Sequence, residues 1–488
     1  MNTAHRLVRG QLLHFLADPG PADDPAAWQF FDDGGLWIAD GRIQAAGPWA
    51  AITATLPPGV REAATLHDYR GHLVLPGLID CHLHYPQAGV IASYGRQLLD
   101  WLNDYVFPAE ARFAELTEAE RTAAFVTRRL LAHGTTTASV FATVHPHSVD
   151  AFFAAAEARG LRMLCGKVLM DRNCPANLRD TATGGIADSL RLIERWHGRG
   201  RLRYSLTPRF APTSSPEQLR LTGELLASRP GLHLQTHLAE NPGEIGWVKQ
   251  LFPERSSYLD VYQHYGLAGP RTLHAHCIHL SAAERRSMAT GGAAAAFCPG
   301  SNLFLGSGFF DLAESRSAGL RVGLATDIGA GTGFSLLRTL AQAYEVGQAC
   351  RAPLSALRGF YLATLGGAQA LYLDDCIGSF QPGREADFVA LDWAATPELA
   401  WRMERCQSLT ERLFALMMLG DERCVVATHV MGEAAWARAQ AVVLDQAFFK
   451  LDPDKFRQFT ALLDDPPAPN PGLERLKAVK APWDAGPA

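Results

Sequence analysis

Between Leu78 and Ala325 the chain repeats one alternation, a short apolar burst followed by a longer amphipathic stretch. The bursts lie at Leu78–Cys81, Thr135–Phe141, Leu161–Leu169, Leu202–Leu206, Leu232–Thr236, Thr272–Ala275, Ala293–Phe297 and Leu320–Ala325. The stretches between them carry helical spacing, as at Ala119–Ala132, Ser148–Ala158, Ser215–Ala227, Ser281–Met288 and Leu336–Ala349. Several open on a capping residue: Ser148, Ser215 before Pro216 and Glu217, and Ser281 with Glu284 three positions on. Eight strand–helix alternations over about 300 residues predict an α/β fold of the (β/α)₈ barrel type, with chemistry at the C-terminal strand ends. A doubly wound sheet competes, because both folds bury near-continuous apolar strands.

The flanks read differently. Gln29–Phe31, Gly35–Ile38 and Arg42–Ala45 are short apolar runs separated by Asp32-Asp33-Gly34-Gly35 and Asp40-Gly41, which predict hairpin turns. No helix-length periodic segment stands out in the first 75 residues. After Leu373, Phe388–Leu391 and Val425–Val430 predict strands around a helical Ser408–Leu419, and from Asp464 a proline-rich tail predicts an extended or mobile segment. The expected division is 1–74 and 377–488 for a small β domain and 75–376 for the barrel.

Composition excludes several partners. The 45 basic and 50 acidic side chains leave a net charge of −5, and no long Lys/Arg run offers a footprint for nucleic acid. Nine scattered cysteines, an odd number without a CxxC, suit a reducing compartment and predict a cytoplasmic protein. The N-terminal Leu12–Leu16 stretch is too short for a signal peptide or anchor, and no apolar run of membrane-spanning length occurs, so no membrane partner is expected.

Polar residues gather at the ends of the bursts. In Ile79-Asp80-Cys81-His82-Leu83-His84, His82 and His84 are two apart, so on a strand both point the same way. Taken alone, the pair is better explained as alternating structural histidines. The fifth burst ends in His237 with Glu240 three residues on, the sixth in His274 and His276, and the eighth in Asp327. In a barrel these ends surround one mouth. Three or four imidazoles with one carboxylate suit Zn²⁺ or Fe²⁺ and leave a coordination position for water. Cys81, Cys277 and Cys298 have no base partner in sequence and read as small packing residues. His145 and His279 flank the same region, and Gly329-Ala330-Gly331-Thr332-Gly333 predicts a flexible rim loop.

PGLIDCHLH (76–84), THLAE (236–240), HAHC (274–277) and ATD (325–327) together resemble the amidohydrolase superfamily, and Ile377–Val389 resembles its return into a second β domain. More narrowly, the chain resembles the guanine deaminases. That likeness rests on Tyr85-Pro86-Gln87, on Leu98–Leu102 followed by Phe107-Pro108, and on Gly166–Asn173. Pro208–Ser214, Cys298–Leu303 and Ser307-Gly308-Phe309 extend it. The resemblance implies a (β/α)₈ barrel with a smaller β-sandwich domain built from both chain ends, and hydrolysis of guanine to xanthine and ammonia in purine catabolism.

It further implies one zinc ion per chain, Fe²⁺ being the alternative. His82, His84 and His237 would be ligands with Asp327, and His276 a ligand or a partner of the attacking water. Glu240 would shuttle protons with Asp327 and His276, while Gln87, Trp101, Arg209 and Phe210 would bind the purine. A homodimer is implied as well. The superfamily also contains deaminases and hydrolases of 8-oxoguanine, thiomethyladenosine and triazines, and a catalytically silent barrel is the alternative of another class.

Overall fold

A computed structural model describes residues 4–438, with residue 96 left out. The proline-rich tail expected from Asp464 lies outside the described residues. Among the described residues sixteen strands form two sheets. The first four are β1 (His5–Phe15), β2 (Trp28–Ala39), β3 (Arg42–Pro48) and β4 (Thr65–Pro76). Nine belong to the barrel: β5 (Leu78–His84), β6 (Thr135–Phe141), β7 (Arg162–Gly166), β8 (Val168–Leu169), β9 (Arg203–Pro208), β10 (His233–Leu238), β11 (Thr272–His276), β12 (Ala294–Phe297) and β13 (Arg321–Leu324). The last are β14 (Phe388–Leu391), β15 (Val425–Val430) and β16 (Glu433–Ala437).

The barrel strands run parallel in strict chain order, β5-β6-β7-β9-β10-β11-β12-β13, with short β8 beside β9. A doubly wound sheet would reverse that order at a switch point, and none occurs. The seam between β13 and β5 is joined where the chemistry lies: Asp327 N–H donates to His82 C=O at 2.9 Å and His84 N–H to Ile328 C=O at 2.6 Å. The fully buried Asp80 ties the same seam by accepting from the Thr326 backbone N–H at 3.0 Å and from its hydroxyl. Burial pushes the Asp80 carboxyl up to about 7 against those hydrogen bonds. Close approach also requires Gly323, where a Cβ would lie 2.2 Å from Cys81 Sγ.

The helix-forming stretches fold as expected, with boundary shifts of a few residues. Ser215 caps Pro216–Ser228, and Ser281 with Glu284 forms a reciprocal capping box on Ala282–Gly291. The helix expected from Ser148 starts at Pro146 instead. The Ser148 hydroxyl turns back, donating to His145 C=O and accepting from Thr143 N–H, so it ties the strand–helix loop.

Seven strands from the two flanks pair as one mixed sheet, β16-β15-β14-β4-β1-β2-β3. Along β4, Val74 joins a core with Val8, Leu12, Ile38 and Phe388, whereas Leu73 and Leu75 join the large core shared with the barrel helices. The turn expected at Asp32-Asp33-Gly34-Gly35 does not form; β2 continues through it, with a register shift against β1 opposite Asp32 and Asp33. Cross-strand pairing wins because Arg9 holds Asp33 at 2.7 and 2.8 Å, Gln11 holds Asp32 at 2.6 Å, and Gly34 lies flat on Leu12. Two short helices, Trp49–Thr55 and Val60–Ala63, follow β3, each too short to show as periodicity. Among the described residues no helix is long and apolar enough to cross a membrane, and all nine cysteines are free.

Candidate active site

The metal-type side chains converge at the barrel mouth. His82 and His84 end β5, His237 ends β10, His276 ends β11, and Asp327 follows β13. Donor atoms of His82, His84 and Asp327 lie within 4.8 Å of one another, as do those of His82, His237 and His276, and of His276, Cys298 and Asp327. Asp327 Oδ1 is 3.3 Å from His82 Nε2 and 3.7 Å from His84 Nε2, and its Oδ2 is 3.9 Å from His276 Nε2. His276 and Asp327 both adopt left-handed backbone, φ 71° and 51°, a cost that side-chain types other than glycine bear mainly at functional sites.

The histidines are held with one nitrogen free. His237 Nδ1–H donates to Arg209 C=O at 2.7 Å, and His276 Nδ1–H to Asn302 Oδ1 at 3.0 Å, so each Nε2 keeps its lone pair for the mouth. His84 Nε2 sits 3.1 Å from that bare His237 Nε2. His82 Nε2 and His276 Nε2 are buried without a hydrogen-bond partner. Bare acceptors converging in a buried pocket repel one another, and a cation relieves them. This donor set therefore fits a divalent metal ion.

Electrostatics divides the carboxylates. Burial pushes Glu240 up to about 7, partly offset by His276 at 3.4 Å. Burial also acts on Asp327, but the imidazoles of His82, 3.3 Å away, and His276 outweigh it and hold that carboxyl below its ordinary value. For His276, burial is overcome by the facing Glu240 and Asp327, so its pKa lies above the usual histidine value. The mouth thus pairs a carboxyl that keeps its proton near neutrality with one that stays ionised, a separation typical of acid–base sites.

One cavity joins this cluster to the other expected residues. It is lined by His84, Gln87, Trp101, Arg209, Phe210, His237, Glu240, His276 and Asp327, with Leu98, Leu102, Leu305 and Ala330 closing it. Gln87 follows β5, Arg209 and Phe210 follow β9, and Trp101 comes from the helix Leu98–Trp101, which continues through a π-helical turn, Leu102–Val106. Every residue expected at the site is therefore brought to one place. His274 instead packs on Tyr262, His279 donates to Ser307 C=O beside a separate cavity, and His145 faces His147.

The glycine segment after Asp327 is packed at its start, where Gly331 N–H donates to Asp327 C=O at 2.6 Å and Gly329 abuts Gln87 so closely that a Cβ would lie 2.7 Å away, and open at Gly333. Cys298, expected only to pack, also brings its sulfur to the His276–Asp327 group, with burial holding the thiol well above its ordinary pKa. Three supporting residues escaped the sequence reading. Asn302 orients His276, Ser307 donates to Glu240 Oε1 at 3.3 Å, and Glu110 bonds both Arg209 and Gln87. Asn302 and Ser307 sit inside segments already singled out. Glu110 lies two residues beyond Phe107-Pro108 and carries no signal of its own.

A nearly closed parallel barrel with four histidines and an aspartate at its mouth defines a metal-dependent hydrolase scaffold. Residues 73–435 match the Amidohydrolase family, and the chain belongs to it. It is a hydrolase of the class acting on C–N bonds in cyclic amidines. A second match, Antitoxin TacA 1-like, covers residues 427–481 only. The chain is 48% identical to guanine deaminase of Escherichia coli (strain K12) over 90% of its own length and 100% of the relative. It is 41% identical to a probable guanine deaminase of Deinococcus radiodurans over 89% and 99%. Among solved structures, E. coli guanine deaminase superposes with a TM-score of 0.86 at 46% identity, covering 89% of this chain and 100% of that one. Guanine deaminase from C. acetobutylicum, solved with guanine in its active site, gives 0.79 at 30% identity, covering 88% and 100%.

Proposed function

We propose that the protein is a zinc-dependent guanine deaminase that converts guanine and water to xanthine and ammonia. The observation that carries this reading is the single cavity that sets Gln87 and Arg209 opposite Glu240 and the histidine–aspartate cluster. Relatives of that name match the chain over almost its whole described length. His82, His84, His237 and Asp327 would hold the metal, with His276 beside them. Zinc, when bound, lowers the pKa of water to about 7 and so makes a nucleophile available at neutral pH.

The chain's own residues do the rest. The Arg209 guanidinium offers two-point donation to the purine C6 carbonyl, which a lysine would not match. Phe210 and Trp101 close on the ring, and Leu98, Leu102 and Leu305 exclude bulk water. So held, the base presents C2 to the cluster. Glu240, protonated near neutrality, donates to N3 as the C2–O bond forms. Asp327 and His276 take the proton of the incoming water and return it to the exocyclic amine. The C2–N bond breaks and ammonia leaves; N3 keeps the proton it received, and Glu240 recovers one from the C2 hydroxyl, which becomes the C2 carbonyl of xanthine.

In this reading residues 75–376 form the catalytic unit and the flanks 1–74 and 377–438 the small domain. The enzyme works in the cytoplasm as a homodimer, and it takes no nucleic acid. A substrate panel of guanine, 8-oxoguanine, cytosine, adenine nucleosides and triazines tests the assignment. Guanine is expected to give the highest kcat/KM; a higher value for another member would replace the substrate.

A further inference from the structure

Arg209 is buried, and its Nη1 meets both oxygens of Glu110, at 2.9 and 2.8 Å. Oε1 of Glu110 also accepts from Gln87 Nε2 at 2.9 Å. Glu110 is 0% exposed, Gln87 2% and Arg209 3%, and the Arg209 guanidinium lies over the Phe107 ring at 5.4 Å. A carboxylate between an amide and a guanidinium imposes a polarity. It only accepts, so the face that Gln87 turns towards it must be the NH₂. The Gln87 carbonyl oxygen is thereby the atom left for the cavity, and no described residue donates to it. Arg209 spends Nη1 on Glu110, and its remaining N–H groups stay unpaired among the described residues.

We infer that Glu110 is a positioning residue for substrate choice: it locks Gln87 as an acceptor and Arg209 as a donor, an array that fits the N1–H and C6=O edge of an oxopurine. This rests on the purine reading given above. An aminopurine edge presents the reverse pattern, an N1 lone pair towards the Gln87 oxygen and a C6 amine towards the guanidinium. Both contacts then mispair among buried groups. Sites built on buried hydrogen bonds reject such analogues strongly, by factors of about 10⁴ where the match is complete. Replacing Glu110 by Gln removes the lock. The new amide could donate to the Gln87 oxygen and still accept from Arg209, so Gln87 is free to turn its NH₂ into the cavity.

The test measures inhibition constants of hypoxanthine, which has the oxopurine edge without the C2 amine, and of 2,6-diaminopurine, which has the reversed edge. Metal-loaded wild type is expected to bind hypoxanthine at least about 100-fold more tightly. Equal binding by wild type overturns the inference without any variant, so a poorly folding Glu110→Gln does not shield it. In Glu110→Gln, with metal content and Tm checked, the preference is expected to shrink to about fivefold or less. A preference that stays at its wild-type size, even if both affinities weaken together, gives Glu110 a merely structural role and overturns the inference. Wild type that shows the preference but releases no ammonia from guanine supports the inference and refutes the proposed reaction.

Discussion

Replacing Glu240 by Gln should stabilise the folded protein at alkaline pH while removing its activity. Burial raises this carboxyl from 4.5 to about 7 in the folded state. Between those values the folded chain binds more protons than the unfolded one, so stability falls as pH rises from 4.5 through 7. A shift of about 2.5 units at 1.36 kcal/mol each puts the cost near 3 kcal/mol once the group is ionised at pH 8. Glutamine never ionises and never incurs it. With an unfolding entropy of about 1 kcal/mol/K for a chain of this length, Tm should rise by roughly 3 °C.

Differential scanning fluorimetry on metal-stripped wild type and variant at pH 5 and pH 8 reads this directly. The two should coincide at pH 5 and separate at pH 8, with the variant higher. In the metal-loaded state kcat/KM for guanine should fall by about 10³, within the usual contribution of a positioned general acid. A variant less stable than wild type at both pH values, or equal to it at both, would refute the assignment of a buried, protonated Glu240.

Three further outcomes follow from the structure. Asn302→Ala removes the acceptor that orients His276 Nδ1, and steady-state assays should show kcat/KM for guanine reduced by about 10–100-fold. Burial lowers His233 to about 3, so its neutral form is favoured by folding, and stability falls as pH drops below 6.5 by about 1.4 kcal/mol per pH unit. Urea midpoints between pH 7 and 5 should therefore slope less for His233→Gln than for wild type. Gly323→Ala drives a Cβ onto Cys81 Sγ at the barrel seam and should cost about 1–3 kcal/mol, with Cys81→Ala in the same chain restoring most of it in a double-mutant cycle.

Barrel and metal-type cluster were legible for the same reason. Parallel strands buried on both faces leave continuous apolar bursts, and an imidazole or carboxylate at the end of such a burst, as at His82, His237, His276 and Asp327, breaks the pattern visibly. The small sheet was only half legible. Asp32-Asp33-Gly34-Gly35 has turn chemistry, yet the ion pair to Arg9 and the close packing on Leu12 hold it extended, and both partners lie in another strand. Strand β1 went unread as a strand, because Arg6, Arg9 and Gln11 interrupt the apolar pattern that the sheet completes.

Supporting residues were the least visible. Asp80 sits inside the PGLIDCHLH segment, but its partner Thr326 is 246 residues away. Glu110 meets Arg209 across 99 positions, and a π-helical turn beforehand removes any periodicity that would aim it. Spacing along a strand shows which side chains share a face. It carries nothing about which distant carboxylate will hold them.

Steady-state turnover of guanine and metal analysis, made on one and the same purified sample, test the central claim most directly. The account predicts xanthine and ammonia in equal amounts from protein carrying about one zinc per chain, the stoichiometry of a single-site zinc hydrolase. A sample loaded with metal to that level that releases no ammonia from guanine would contradict it.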